Sequence, residues 1–284
     1  MGAILISLRP KQWVKNLVVF AGLIFSRNAF NWSLQWKAWI TFVTFCAVVG
    51  AGYMLNDVLD RGLDRNHPGK KNRPIACGRL GAGSALGAAA GLVVAAVGAG
   101  FTVDPLLPFF LCSYMALQLA YTLVLKHVVI VDVLLISAGF ILRAVAGAAV
   151  IHVTISPWLI ICAMLLALFL GLAKRRAELT LLRGEAAGHR RNLEHYSVEI
   201  VDQMTGVTAS ATLVSYASYS FTSFESHWMM LTIPFVLYGI FRYLYLVHIR
   251  LRGGSPEQVL LTDVPLLINI MLWGFTAEAV LELA

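Results

Sequence analysis

Runs of about twenty apolar residues alternate with short polar connections along the whole chain, and a helix needs about 20 such residues to cross a bilayer. Eight runs reach or approach that length: Ala38–Leu55, Gly81–Val103, Pro105–Leu125, Val128–Val150, Pro157–Ala173, Met204–Phe224, Trp228–Leu246 and Val264–Ala284. A ninth, from about Trp13 to Ser26, is weaker because Lys15 and Asn16 stand at its start. The pattern predicts an all-α, polytopic membrane bundle of about nine transmembrane helices. It forms a single membrane-embedded domain over residues 1–284 with its termini on opposite sides.

Charge tests that count. Of the 22 lysines and arginines, 19 fall in connections on one side of such an arrangement. Only Arg27 and Lys37 fall on the other, and Arg143 lies inside a span. Cytoplasmic loops carry the excess of Lys and Arg, so the N-terminus and the long loops are expected in the cytoplasm, with the chain in the plasma membrane. Composition agrees: 59% of residues are hydrophobic, 13% are charged and mean hydropathy is +0.76, against roughly 25% charged in soluble domains. That excludes a soluble enzyme. It also turns the net charge of +7 and the pI near 9.4 into a mark of topology, with no nucleic acid as partner. The N-terminus shows no cleavable signal, because no basic region precedes the short apolar stretch Met1–Leu8. Cys46, Cys77, Cys112 and Cys162 are far apart and form no CxxC pair, so they read as free, mostly buried thiols. Gly87 and Gly91, in a small-residue span, suit close helix packing.

The sharpest polar feature is Asn56-Asp57-Val58-Leu59-Asp60-Arg61-Gly62-Leu63-Asp64, which gathers three of the seven aspartates at the end of a span. On a helix, positions 56, 57, 60 and 64 share roughly one face. Carboxylates so close repel one another unless a cation joins them. Hard oxygen ligands suit Mg²⁺, which typically bridges carboxylates to substrate phosphates. The plainer alternative is an acidic helix end neutralised by Arg61 and Arg65. Directly downstream, Lys70, Lys71, Arg73 and Arg79 lie in a loop punctuated by Pro68, Gly69, Pro74 and Gly78. Cations beside a metal site are what diphosphate binding requires.

Asn56-Asp57-xx-Asp60-xxx-Asp64 with Arg73-Pro74 and Gly78 resembles the first aspartate-rich motif of the UbiA prenyltransferase superfamily. The resemblance implies a UbiA-like bundle and assigns Asp57, Asp60 and Asp64 to Mg²⁺ and a diphosphate leaving group, as metal ligands and catalytic residues. A second aspartate-rich motif is expected after the sixth helix, but the chain reads Lys174-Arg175-Arg176-Ala177-Glu178-Leu179 there. That departure, together with Arg9-Pro10-Lys11-Gln12-Trp13-Val14-Lys15-Asn16 and the later Tyr196-Ser197, is similar to one subgroup, the decaprenyl-phosphate phosphoribosyltransferases. The resemblance implies transfer of 5-phosphoribose from phosphoribosyl diphosphate to a decaprenyl or other polyprenyl phosphate in the lipid bilayer, feeding arabinan synthesis for the cell wall. Lys15, Asn16, Asn56, Lys71, Arg73, Lys126, Lys174, Arg175, Glu178, Arg191 and Tyr196 are then the substrate-binding candidates. Glu178 serves equally as a salt-bridge partner of Lys174 or Arg175. Asp132 and Arg143 share a helix face eleven residues apart and form either an internal ion pair or part of the site. A homo-oligomer is allowed but not required. The competing readings are a conventional prenyltransferase acting on an aromatic acceptor, and a transporter of anionic solutes. The basic stretch argues against the first, and the lack of internal repeats against the second.

Overall fold

The computed structural model describes residues 2–66, 69–181, 195–223, 227–251 and 253–283, and among these there are helices and turns but no strand. The elements are α1 (Gly2–Ser7), a 3₁₀-helix (Pro10–Phe20), α2 (Ala21–Phe25), α3 (Trp32–Leu59), α4 (Arg61–Asn66), α5 (Ala82–Phe101), α6 (Leu106–Leu123) and α7 (Val131–Val150). They continue with α8 (Pro157–Leu181), α9 (Val198–Thr222), α10 (Ile233–His248), α11 (Pro256–Thr262) and α12 (Val264–Leu283). In hydrocarbon every backbone N–H and C=O must be paired inside the segment, so the apolar runs become helices.

Among the described residues, seven helical stretches are long and apolar enough to cross a membrane: Trp32–Leu59, Ala82–Phe101, Leu106–Leu123, Val131–Val150, Pro157–Thr180, His227–His248 and Val264–Glu282. The count of nine is not reached on those criteria, and the two shortfalls have different causes. The 25-residue α9 is long enough but rich in Ser and Thr. Its hydroxyls turn back onto the helix, Thr205 to the carbonyl of Val201 (2.7 Å) and Thr212 to that of Thr208 (2.6 Å), which removes much of their polarity. Residues 10–25 form the 11-residue 3₁₀-helix and the short α2 instead of one α-helix. Runs of 3₁₀ beyond 3–4 residues are uncommon. With three residues per turn, Asn16 and Val19 of the 3₁₀-helix fall in one line, and both are buried.

The chain forms two compact units. The first comprises Met1–Leu23, Phe30–Leu125 and Leu142–Val153. α3 begins where Asn31 caps it, its side chain accepting from the N–H of Ser33 (3.1 Å). It packs against α5, α6 and the 3₁₀-helix, around Val19, Phe45, Val48, Leu107, Leu111 and Ala146. Close packing uses Gly147 rather than the expected Gly87 and Gly91. A Cβ on Gly147 would sit 2.0 Å from the carbonyl oxygen of Val19, whereas one on Gly87 or Gly91 meets nothing within 4 Å.

The second unit comprises Ile24–Ala29, Lys126–Ile141 and Thr154–Ala284. α8 and α9 pack along one another, and Phe169, Ala173, Ala209, Ile240, Tyr243 and Leu246 form one of the cores. Only two of the four thiols are buried, Cys46 and Cys162; Cys77 and Cys112 are exposed. Exposed Trp32, Trp36, Trp39, Trp158 and Trp228 fit the aromatic belts of a membrane protein.

Candidate active site

In the first unit the carboxylates survive a break in the helix. α3 stops at Leu59 with Asp60 as its cap. The α-type bonds nevertheless run through the junction, from the N–H of Asp60 to Asn56 and from that of Asp64 to Asp60 (2.9 Å each). Asn56, Asp60 and Asp64 therefore stay in one column, and the Asn56 amide donates to Oδ2 of Asp60 at 2.9 Å. Asp57 and Asp64 are almost fully buried, at 2% and 3% exposure.

The cations that balance them come from outside the motif. Nη2 of Arg9 donates to Oδ1 of Asp57 at 2.5 Å. Nη1 of Arg73 reaches both Oδ1 of Asp57 (3.0 Å) and Oδ2 of Asp64 (2.6 Å). The plainer alternative, neutralisation by Arg61 and Arg65, is not what forms; Arg65 donates to the carbonyl of Ala76 (3.0 Å). Arg65 is exposed while Asp64 on the same short helix is buried, so the two point apart. Arg73 is carried by a loop pinned through fully buried Ile75 and closed at Gly78, whose φ of +82° suits glycine. Arg9 holds a left-handed backbone, φ +52°, just before Pro10, and its guanidinium lies 4.7 Å from the centre of the Tyr53 ring.

The other candidates of this unit lie in three settings. Asn16 is fully buried; it donates to the Cys46 sulfur (3.1 Å) and accepts from Nη1 of Arg143 (2.9 Å). Arg143 is itself buried and lies 5.3 Å from the Tyr114 ring centre. Lys15 donates to the Gln12 side chain at 2.5 Å, and Lys71 is exposed on the loop. In the same loop Cys77 accepts from Nε of Arg79 at 3.2 Å. Bonds from the backbone N–H and the side chain of Arg79 hold the Cys77 thiol below its ordinary pKa.

A divalent cation fits these residues by donor chemistry. Asn56, Asp57, Asp60 and Asp64 offer hard oxygens, which Mg²⁺ prefers. As they stand, Asp57 and Asp64 are matched by guanidinium groups and Asp60 by the Asn56 amide, and among the described residues no three of His, Cys, Asp and Glu are gathered as a metal would gather them. Holding a cation therefore requires the arginines to give way.

The second unit carries the basic helix end. Arg175, on α8, is 4% exposed and Asp132, in the first turn of α7, is fully buried. Nη2 of Arg175 meets Oδ2 of Asp132 at 2.6 Å, and Nη1 meets Oε2 of Glu178 at 2.6 Å. The pairing three residues apart is thus the one formed by Glu178. The Tyr196 hydroxyl donates to Oδ1 of Asp132 (3.0 Å) and accepts from the N–H of Ile130 (2.6 Å). Burial pushes the Tyr196 pKa up, which keeps that proton in place. Ile130 has φ +70°, a strained conformation for a β-branched residue. Lys174 is exposed, and Lys126 is half-buried in a short 3₁₀ turn, Leu125–His127. Arg191 lies outside the described residues. Arg143 and Asp132 are separated by about 16 Å of helix, from 1.5 Å per residue, so they form no direct pair.

From the sequence, Arg9 carries no role beyond its place in the N-terminal motif, and Asp132 is open between an internal ion pair and the site. For Arg9 the available signal was a cation next to a proline in the N-terminal motif; for Asp132 it was a carboxylate at the head of an apolar run, costly there without a partner.

The sequence pattern of the UbiA prenyltransferase family matches residues 16–259. The decaprenyl-phosphate phosphoribosyltransferase of Corynebacterium glutamicum is 36% identical over 279 residues, covering 95% of this chain and 83% of that protein. Its namesake from Mycolicibacterium smegmatis is 31% identical over 289 residues, covering 96% and 90%. A solved UbiA homolog from Archaeoglobus fulgidus, bound to DMAPP and Mg²⁺, shares the fold with a TM-score of 0.75 over 99% of both chains, at 16% identity.

Proposed function

The chain belongs to the UbiA prenyltransferase family, and on that footing we propose that it transfers 5-phosphoribose from phosphoribosyl diphosphate to a polyprenyl phosphate, decaprenyl phosphate among them. The basic end of α8 carries this reading: the stretch Lys174-Arg175-Arg176-Ala177-Glu178 falls where the family resemblance leads one to expect a second aspartate-rich motif. Relatives named for this reaction, matched over nearly the whole chain, support it.

In this reading the bond from the anomeric carbon to the diphosphate breaks, and the pair of electrons leaves with the diphosphate. An oxygen of the lipid phosphate then bonds to the oxocarbenium-like carbon. That oxygen is already anionic near neutral pH, so no dedicated general base is needed. Asn56, Asp57, Asp60 and Asp64 would hold Mg²⁺, which when bound neutralises charge on the leaving diphosphate. Lys71 and Arg73 bind phosphate oxygens, with Lys15 close by in sequence to Asn16, which fixes Arg143. Arg175, held in place by Asp132 and Glu178, binds a phosphate of donor or acceptor; Lys126, Lys174 and Arg191 add positive field around it, and Tyr196 secures Asp132. Reaction at the cytoplasmic face of the plasma membrane follows from the charge bias of the loops.

Mass spectrometry of the lipid product tests the assignment. Purified protein given phosphoribosyl diphosphate and polyprenyl phosphate is expected to yield a lipid-linked pentose phosphate, and Asp57→Ala to lose at least about a hundredfold in rate, on the scale of one electrostatic contact at a reacting centre. Consumption of a prenyl diphosphate with an aromatic acceptor, without any pentose lipid, overturns it.

A further inference from the structure

We propose that Arg9 is a further residue of the site, a cation that stands in for the metal on Asp57 and moves onto the diphosphate when donor and metal arrive together. This rests on the functional reading above. The two partners differ in freedom: the Asp57 side chain is 2% exposed and cannot leave, while that of Arg9 is 27% exposed. Arg9 also hangs from a backbone in the sparsely populated left-handed region, the kind of strain that accompanies switch positions. Its guanidinium already lies over the Tyr53 ring, 4.7 Å from the ring centre, a contact that can keep hold of it when Asp57 lets go. Arg73 spans Asp57 and Asp64 from a side chain 25% exposed, so two guanidinium groups cover the two buried carboxylates.

The consequence is a coupling of ligands. A metal ion arriving alone must displace Arg9 and leave it with no anion to bind. A metal ion arriving with diphosphate gives the displaced guanidinium two phosphates, where it binds well. Each ligand therefore raises the affinity for the other, as linkage requires.

The test uses full-length protein in nanodiscs, with Mn²⁺ alone followed by the loss of its free-ion EPR signal, and inorganic diphosphate with Mg²⁺ followed by equilibrium dialysis. Arg9→Gln is expected to bind Mn²⁺ alone about tenfold more tightly than the wild type, and Mg²⁺-diphosphate about tenfold more weakly, within the range of known couplings. Arg9→Lys, which keeps the cation, is expected to shift less in both. Opposite signs in one variant are not what simple damage produces. If Arg9→Gln weakens both ligands equally, or leaves both unchanged, the inference fails while the metal reading stands. If Mn²⁺ binding is the same in Asp57→Asn as in the wild type, the metal reading fails and takes the inference with it.

Discussion

Removing one member of the Asp132–Arg175 pair is expected to cost far more than removing both. Asp132 is fully buried and Arg175 4% exposed, with a contact of 2.6 Å. Taking away one partner of a buried pair leaves an uncompensated charge, at about 3–5 kcal/mol. Asp132→Leu and Arg175→Met should each fall in that range. At about 2 °C per kcal/mol for a chain of this size, each lowers the melting temperature by roughly 6–10 °C. In the double variant both charges are gone and apolar groups of similar volume replace them. What remains is the Tyr196 hydroxyl deprived of its acceptor, a loss of about 1–2 kcal/mol, and Glu178 without Arg175, a small further loss because its side chain is 27% exposed to water. Tyr196 still receives the N–H of Ile130. The assay is thermal unfolding of the four proteins in one detergent, followed by tryptophan fluorescence. A double variant whose loss equals the sum of the two single losses would refute the reasoning, since it would mean that the two side chains stabilise the fold independently.

Two further outcomes follow from the packing and the loop chemistry. Gly147→Ala brings a Cβ to 2.0 Å from a backbone oxygen of Val19. The segments must part by more than about 1 Å, overpacking that costs at least 1–3 kcal/mol; melting temperature and activity both fall, because Asn16 and Arg143 lie about one turn away. Gly91→Ala, with open space around it, serves as the control and stays within about 0.5 kcal/mol. Cys77, exposed and with its pKa lowered by Arg79, is expected to react with iodoacetamide ahead of the buried Cys46 and Cys162. The pH midpoint of its labelling lies below the usual thiol value of about 8.5, because more of it is thiolate at a given pH. Mass mapping of alkylated peptides across pH 6–9 reads this, and a midpoint at or above the usual value contradicts it.

Much of the bundle was legible because hydrocarbon imposes a length and a polarity on whatever crosses it, and no tertiary contact is needed to see that. The aspartate column was legible for a similar reason: residues four apart meet on a helix, and the i to i−4 bonding carries through the break at Asp60. What escaped was non-local. Arg9 reaches Asp57 across 48 residues and Asp132 meets Arg175 across 43, distances over which no periodicity speaks. The alternative of local neutralisation by Arg61 and Arg65 overlooked these distant partners for the same reason. α9 matched the helix pattern at lower hydropathy because its hydroxyls bond to its own backbone, which a residue-by-residue scale does not register. The segment over 10–25 differed most, since it reads as one apolar run by length and polarity, and those do not tell an α-helix from a 3₁₀-helix followed by the short α2.

The three-residue period of the 3₁₀-helix gives the N-terminal segment its own rule for insertions and deletions. In a 3₁₀-helix three residues make about one full turn, whereas in an α-helix they fall about 60° short. Adding or losing three residues ahead of Asn16 would slide the segment by about 6 Å, yet leave Asn16 and Val19 in line on the same side of the helix. Adding or losing one would swing that line by about a third of a turn, turning Asn16 away from Arg143 and a side chain toward Gly147. A change of three residues within Pro10–Phe20 therefore costs a shift along the axis, and a change of one costs the facing of Asn16 and Val19 as well.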